Sequence, residues 1–144
     1  MAVAHILRQK GSAVITASPS DSVQAIVDAL VRHRIGAVVV VDAKGGIAGI
    51  VSERDVVRAM AGDAMSVLGR TAADIMTGKV RTCSPGDSEA ELMQLMTENR
   101  IRHLPVVADG KLAGMVSIGD VVKFRIESIE REAEDMKTYI ASAG

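Results

Sequence analysis

The chain has 144 residues, 48% of them hydrophobic and 24% charged, with a net charge of −1 and a pI near 6.3. Such a chain is globular, long enough for one ordinary domain or two small units sharing a core, and it offers no broad basic surface to nucleic acid. Aromatics are reduced to Phe124 and Tyr139, which removes stacking platforms for single strands, and one cysteine, Cys83, excludes an internal disulfide.

In chain order, residues 4–15 are a lead-in containing Ile6 and Leu7, followed by a brief strand at Val14-Ile15. Ser18-Pro19-Ser20-Asp21-Ser22 is a loop ending in a helix-start signal. Val23, Ile26, Val27, Leu30 and Val31 then recur on one helical face, and Gly36 is expected to end that helix. The β-branched run at 37–41 predicts a strand buried on both faces. Asp42-Ala43-Lys44-Gly45-Gly46 supplies turn chemistry, and 47–51 reads as the returning strand of a hairpin. A helix follows from Ser52 to about Ala61, and 62–69 is a linker of small and polar residues.

The pattern then repeats. Ala73-Asp74-Ile75-Met76-Thr77 echoes Ala4-His5-Ile6-Leu7, with a short strand expected at Val80-Arg81-Thr82. Ser84-Pro85-Gly86-Asp87-Ser88 repeats the earlier loop, and Ser88-x-x-Glu91 predicts a capping box that the first copy lacks. Leu92, Leu95 and Met96 mark the next helix, and 104–107 the next strand, with Pro105 near its start. Ser18 recurs 66 residues later as Ser84, and Gly49 recurs 65 residues later as Gly114. The reading is a mixed α/β (α+β) fold: two β-α-β-β-α units with small mixed sheets, approximate two-fold symmetry and a shared core. The expected divisions are 4–62, a linker at 63–72, 73–126, and a helical extension over 127–144. In that extension Val122, Ile126, Ile129, Ala133, Met136 and Ile140 step by four and three, a seam suited to the helix of a second copy.

Two matching stretches carry the strongest functional signal. Gly-Ile-Val-Ser-Glu-Arg-Asp-Val-Val occupies 49–57 and Gly-Met-Val-Ser-Ile-Gly-Asp-Val-Val occupies 114–122. Each runs a strand into a helix, setting helix N–H groups beside a hydroxyl and a carboxylate. Such a corner suits a ligand with phosphate and sugar hydroxyls. The same Ser and Asp also cap a helix that holds no ligand, so both readings stay open.

With Asp74-Ile75-Met76-Thr77 and Arg100-Ile101-Arg102-His103-Leu104-Pro105-Val106-Val107, the duplicated Gly-x-Val-Ser-x-x-Asp resembles the CBS-domain pair, or Bateman module, over residues 4–126. That resemblance implies a regulatory module, not an enzyme, binding adenine nucleotides (AMP, ADP, ATP, sometimes NAD(H) or S-adenosylmethionine) in two clefts between the units. It implies that Asp55 and Asp120 accept hydrogen bonds from ribose hydroxyls and that Ser52 and Ser117 approach the phosphate. The units differ at Gly36-Ala37 against Arg102-His103 and at Glu53-Arg54 against Ile118-Gly119. Arg54, Arg102 and His103, with Lys79, are therefore the expected phosphate contacts, and the two clefts are expected to differ in affinity or ligand. Backbone groups of Thr77 to Val80 and of Ile35, Gly36 and Ala37 are expected to meet the adenine edge, with Val51, Val80 and Met115 covering its faces.

No metal spacing links His5, His33 and His103, Gly45-Gly46 lies in a hairpin instead of a phosphate loop, and no nucleophile, base and orienting group assemble. The start of the chain shows no basic region followed by a long apolar run, and no segment approaches a membrane span. The expected protein is a cytoplasmic homodimer that reports energy or redox state to an unknown protein partner. The alternatives are a small nucleotide-dependent enzyme and a ligand-free structural adaptor.

Overall fold

A computed structural model describes residues 2–143. The elements in order are α1 (Ala2–Lys10), β1 (Thr16–Ala17), α2 (Val23–His33), β2 (Ala37–Val41), β3 (Ile47–Ser52), α3 (Glu53–Gly62), α4 (Ala72–Ile75), α5 (Glu89–Asn99), β4 (His103–Ala108), β5 (Lys111–Ser117) and α6 (Ile118–Ala143). The first unit carries a sheet of order β1-β2-β3, with β1 parallel and β3 antiparallel to the central β2. Val38, Val39 and Val40 are fully buried, as a strand covered on both faces requires. The second unit repeats the hairpin as β4-β5. The mixed α/β fold with paired units and a long terminal helix is as the sequence predicts.

Local expectations shift in three places. The short strands lie later than expected: Thr16–Ala17 pairs with β2, and in the second unit Cys83 alone bridges Val106, while Val80, Arg81 and Thr82 form no strand. Ala17 opposite Val40 and Cys83 opposite Val106 are equivalent places in the repeat, each fixed by the long strand beside it. The helix before β2 ends at Arg34, not Gly36. Arg34 takes the left-handed conformation at φ 53, and the Ile35 N–H reaches back to the Leu30 carbonyl at 3.1 Å. Arg100 and Ile101 repeat this stop at φ 52, with Ile101 N–H on the Met96 carbonyl. At the next helix, Ser88 Oγ accepts from Glu91 N–H at 3.2 Å; the reciprocal box forms instead at Ser52 and Asp55.

The two cores are built by exchange. Val3 and Ile6 of α1 are buried with Leu92, Leu104, Val106 and Val116 of the second unit. Ala72 of α4 is buried with Ile26, Val38 and Val51 of the first. Two backbone bonds repeat at each crossing: Val3 N–H to Asp87 O and Ala4 N–H to Pro85 O on one side, Ala72 N–H to Asp21 O and Ala73 N–H to Pro19 O on the other. Burying Val3 and Ile6 contributes about 4 kcal/mol, so neither unit completes its core without the other's lead-in. This crossing explains the first glycine of the duplicated stretch. A Cβ on Gly49 would lie 2.6 Å from Met76 Sδ and 2.9 Å from the Thr77 carbonyl, and one on Gly114 would lie 2.6 Å from Leu7 Cδ2. Each hairpin needs a bare backbone where the other unit's lead-in crosses it.

Helix α6 begins on its own unit, with Val121 buried and Phe124 packed against the second core. From Ile129 to Ala143 every residue is exposed. The seam residues Val122, Ile126, Ile129, Met136 and Ile140 are 44–62% exposed, and they span about 27 Å of helix.

Candidate functional site

The expected corners both form, by the same local logic. At the first, Ser52 ends β3 and caps α3: Asp55 N–H donates to Ser52 Oγ at 3.4 Å, while Asp55 Oδ2 accepts from Ser52 N–H at 2.8 Å and from Ser52 Oγ at 3.0 Å. Glu53 N–H donates to the Gly36 carbonyl at 3.0 Å. At the second, Asp120 Oδ2 accepts from Ser117 N–H at 2.9 Å, Asp120 N–H donates to Ser117 Oγ at 3.2 Å, and Ile118 N–H donates to the Arg102 carbonyl at 2.8 Å. Two of the first three N–H groups of each helix thus already bond within the protein, which is the capping function of the motif.

What reaches each carboxylate from the opposite unit differs. Thr77, in the lead-in of the second unit, donates its hydroxyl to Asp55 Oδ1 at 3.0 Å, and its backbone exchanges two hydrogen bonds with Ile50. Asp55 is consequently the one charged residue buried among the described residues. At the other corner Lys10, the last residue of α1, places Nζ 2.7 Å from Asp120 Oδ2 and 2.9 Å from the Met115 carbonyl. Burial raises the Asp120 carboxyl, but the hydrogen bond and charge of Lys10, with the Ser117 bonds, outweigh it and hold the group below its ordinary range.

An open cleft of about 360 Å³ adjoins the first corner, lined by Asp55, Arg58, Ala59, Arg70, Asp74, Ile75, Met76 and Thr77. Two arginines thus line the same concavity as Asp55, Asp74 and Thr77. Hydrogen bonds from Thr71, backbone and side chain, keep the Asp74 carboxyl low, with Arg70 adding to them. Of these residues only Asp55 and Thr77 are expected from sequence. Arg58 carried a signal, since it lies three residues beyond Asp55 on the same helix face. Arg70 and Lys10 carried none that is local, and Asp74 stood out only as part of the stretch Asp74-Ile75-Met76-Thr77.

The remaining expected residues divide. Gly36 and His103 meet: a Cβ at Gly36 would lie 2.9 Å from His103 Cε1, so the imidazole fills the space that the bare glycine leaves. Burial holds the His103 imidazole below its ordinary range, with Lys10 and Arg102 assisting and Glu53 and Asp120 opposing. Arg54 is exposed and donates to the Arg100 carbonyl at 3.1 Å, a tie between the units. Val51 is fully buried and Ala37 nearly so, both in the first unit's strands, which corrects the expectation that Val51 covers an adenine face. The Thr77 amide and carbonyl, expected at the adenine edge, are both taken by Ile50. Ile35, Val80 and Met115 are half-buried, and Lys79 and Arg102 lie exposed.

Among the described residues no three His, Cys, Asp or Glu side chains converge as a metal site, and no helix is long and apolar enough to cross a membrane.

A family model described as the CBS domain matches residues 4–62 and again 72–127. A mitochondrial CBS domain-containing protein of Arabidopsis thaliana, CBSX3, is 35% identical over 96% of this chain and 71% of its own length. A crystal structure of a CBS-domain containing protein from Agrobacterium tumefaciens is 44% identical and superposes with a TM-score of 0.84 over 87% of this chain and 95% of that one. The CBS domain pair of protein MJ0100, solved in complex with 5′-methylthioadenosine and S-adenosyl-L-methionine, is 26% identical, with a TM-score of 0.78 over 89% of this chain and 98% of that one.

Proposed function

The chain belongs to the CBS-domain family, and on that premise we propose that it is a regulatory module whose first corner binds an adenosine-containing ligand. The observation that carries this is the cleft beside Asp55 and Thr77, which a buried carboxylate and two arginines line together. Asp55 Oδ1 is bonded only by the neutral Thr77 hydroxyl, a rotor that turns aside at small cost, and the freed oxygen suits a ribose 2′,3′-diol. Arg58 and Arg70 then lie on the side where a phosphate, or another anionic group of the ligand, is stabilised. The complex of the MJ0100 domain pair with two adenosine derivatives supports the ligand class. Within that class AMP, ADP, ATP, NAD(H) and S-adenosylmethionine remain the candidates, and the module reports energy or methyl-donor state to a protein partner.

Binding exchanges a direct tie between the two units, the Thr77–Asp55 bond, for contacts of the ligand with both, which couples occupancy to their arrangement. We further propose that the chain is a homodimer, with the uncovered seam of α6 packed against the same seam of a second copy.

A specific observation favours a second reading. Both carboxylates already hold hydrogen bonds within the protein, which a paired scaffold that needs no ligand would also show. Thermal shift separates the two: a rise in Tm with millimolar AMP, ATP, NADH, S-adenosylmethionine or 5′-methylthioadenosine supports the sensor. No rise with any of them leaves the scaffold. Turnover of ATP or NAD by the pure protein would instead indicate an enzyme.

A further inference from the structure

The repeat makes Ile50 equivalent to Met115 and Asp55 equivalent to Asp120, so the same two acceptors, a strand carbonyl and a carboxylate, stand at each corner. At the first corner one residue serves both: Thr77 N–H donates to the Ile50 carbonyl at 2.9 Å and Thr77 Oγ1 to Asp55 at 3.0 Å. At the second corner a single ammonium does both tasks, since Lys10 Nζ donates to the Met115 carbonyl at 2.9 Å and to Asp120 at 2.7 Å. Both donors arrive on the lead-in of the opposite unit. Lys10 is also the last residue of α1, where the helix dipole favours a cation.

The chemical difference is charge. A ribose diol reaching Asp55 replaces a neutral hydroxyl on Oδ1, whereas at Asp120 the ammonium sits on Oδ2, so a diol that spans both carboxylate oxygens must displace it from a short, charge-assisted bond. The Lys10 side chain is 37% exposed and the Asp120 side chain 23%, so the pair is accessible to solvent and opens without unfolding. We propose that Lys10 is a specificity-determining latch on the second corner, making the two corners unequal: the first takes an adenosine ligand directly, and the second takes one only when Lys10 is withdrawn from Asp120. This rests on the ribose reading given above for the first corner. An exposed ion pair together with one hydrogen bond sets the handicap at about tenfold in affinity.

The test is isothermal titration of the full chain with AMP and with 5′-methylthioadenosine, comparing the parent with Lys10→Met, which keeps the stem and removes the charge. The expected result is a first event unaltered by the substitution and a second event about tenfold weaker in the parent, which strengthens about tenfold in Lys10→Met and stays weak in Lys10→Arg. Two equal events in the parent, or a second event that Lys10→Met leaves unmoved, overturn the latch while the ribose reading stands. Failure of both proteins to bind either probe removes the ribose reading and the latch with it. A ligand-free readout guards the structural premise: carbon-detected NMR should find the Asp120 carboxyl titrating higher in Lys10→Met than in the parent. If it does not move, Lys10 is not seated on Asp120 in solution and the latch is wrong.

Discussion

Asp55 is the residue on which a structural and a binding role can be separated by magnitude. Replacing it with alanine removes the acceptor for Ser52 N–H, Ser52 Oγ and Thr77 Oγ1, at 2.8, 3.0 and 3.0 Å. Hydrogen bonds to a charged group contribute about 1.5–3 kcal/mol each, but the three share one carboxylate and two of the freed donors can turn to water. The net loss is about 3 kcal/mol, a Tm decrease of roughly 10 °C for a chain of this size. Asp120→Ala removes one backbone bond and a partly exposed pair with Lys10, so about 1 kcal/mol is expected there. Urea unfolding followed by circular dichroism, without ligand and with unchanged m, measures both. Equal losses in the two variants, or a loss under 1 kcal/mol for Asp55→Ala, would refute the claim that Asp55 ties the two units together.

Gly49→Ala should cost about 2–3 kcal/mol by the same assay, because the Thr77 carbonyl cannot retreat; Gly114→Ala should cost less than half as much, since only a leucine methyl must move. For His103 the folded pKa lies below the unfolded value of 6.5, so its contribution to stability is complete above pH 6.5 and is lost as the pH falls through the folded pKa. The urea midpoint should therefore decline between pH 7 and 5, and His103→Gln should flatten that decline; an equal slope in both proteins would remove the assignment. Ile129→Glu with Ile140→Glu should halve the mass seen by light scattering if the α6 seam joins two copies, with little change in circular dichroism. Burial pushes the Cys83 thiol up to about 12, so an aromatic disulfide reagent should label it only at the rate of unfolding.

How much of this was legible in the sequence follows from how local each interaction is. Helix starts, the buried valine run and the hairpins depend on residues within one or two turns of each other, and the repeat spelled them out twice. The serine–aspartate corners were equally readable, because a cap joins residues three apart. Where the reading slipped, a longer reach was in control. Two-residue strands have no periodicity to detect, and each short strand is placed by the long strand beside it. Val51, expected at a ligand, is enclosed by a core that Ala72 completes from the other unit. Composition and pattern alone thus determined a duplicated mixed fold with two capped corners and an uncovered helix. Only the tertiary structure decided that the lead-ins cross over, bringing Thr77 to Asp55 across 22 residues and Lys10 to Asp120 across 110. Local propensity carries no record of contacts at such separation, and these contacts are what make two corners of the same sequence chemically different.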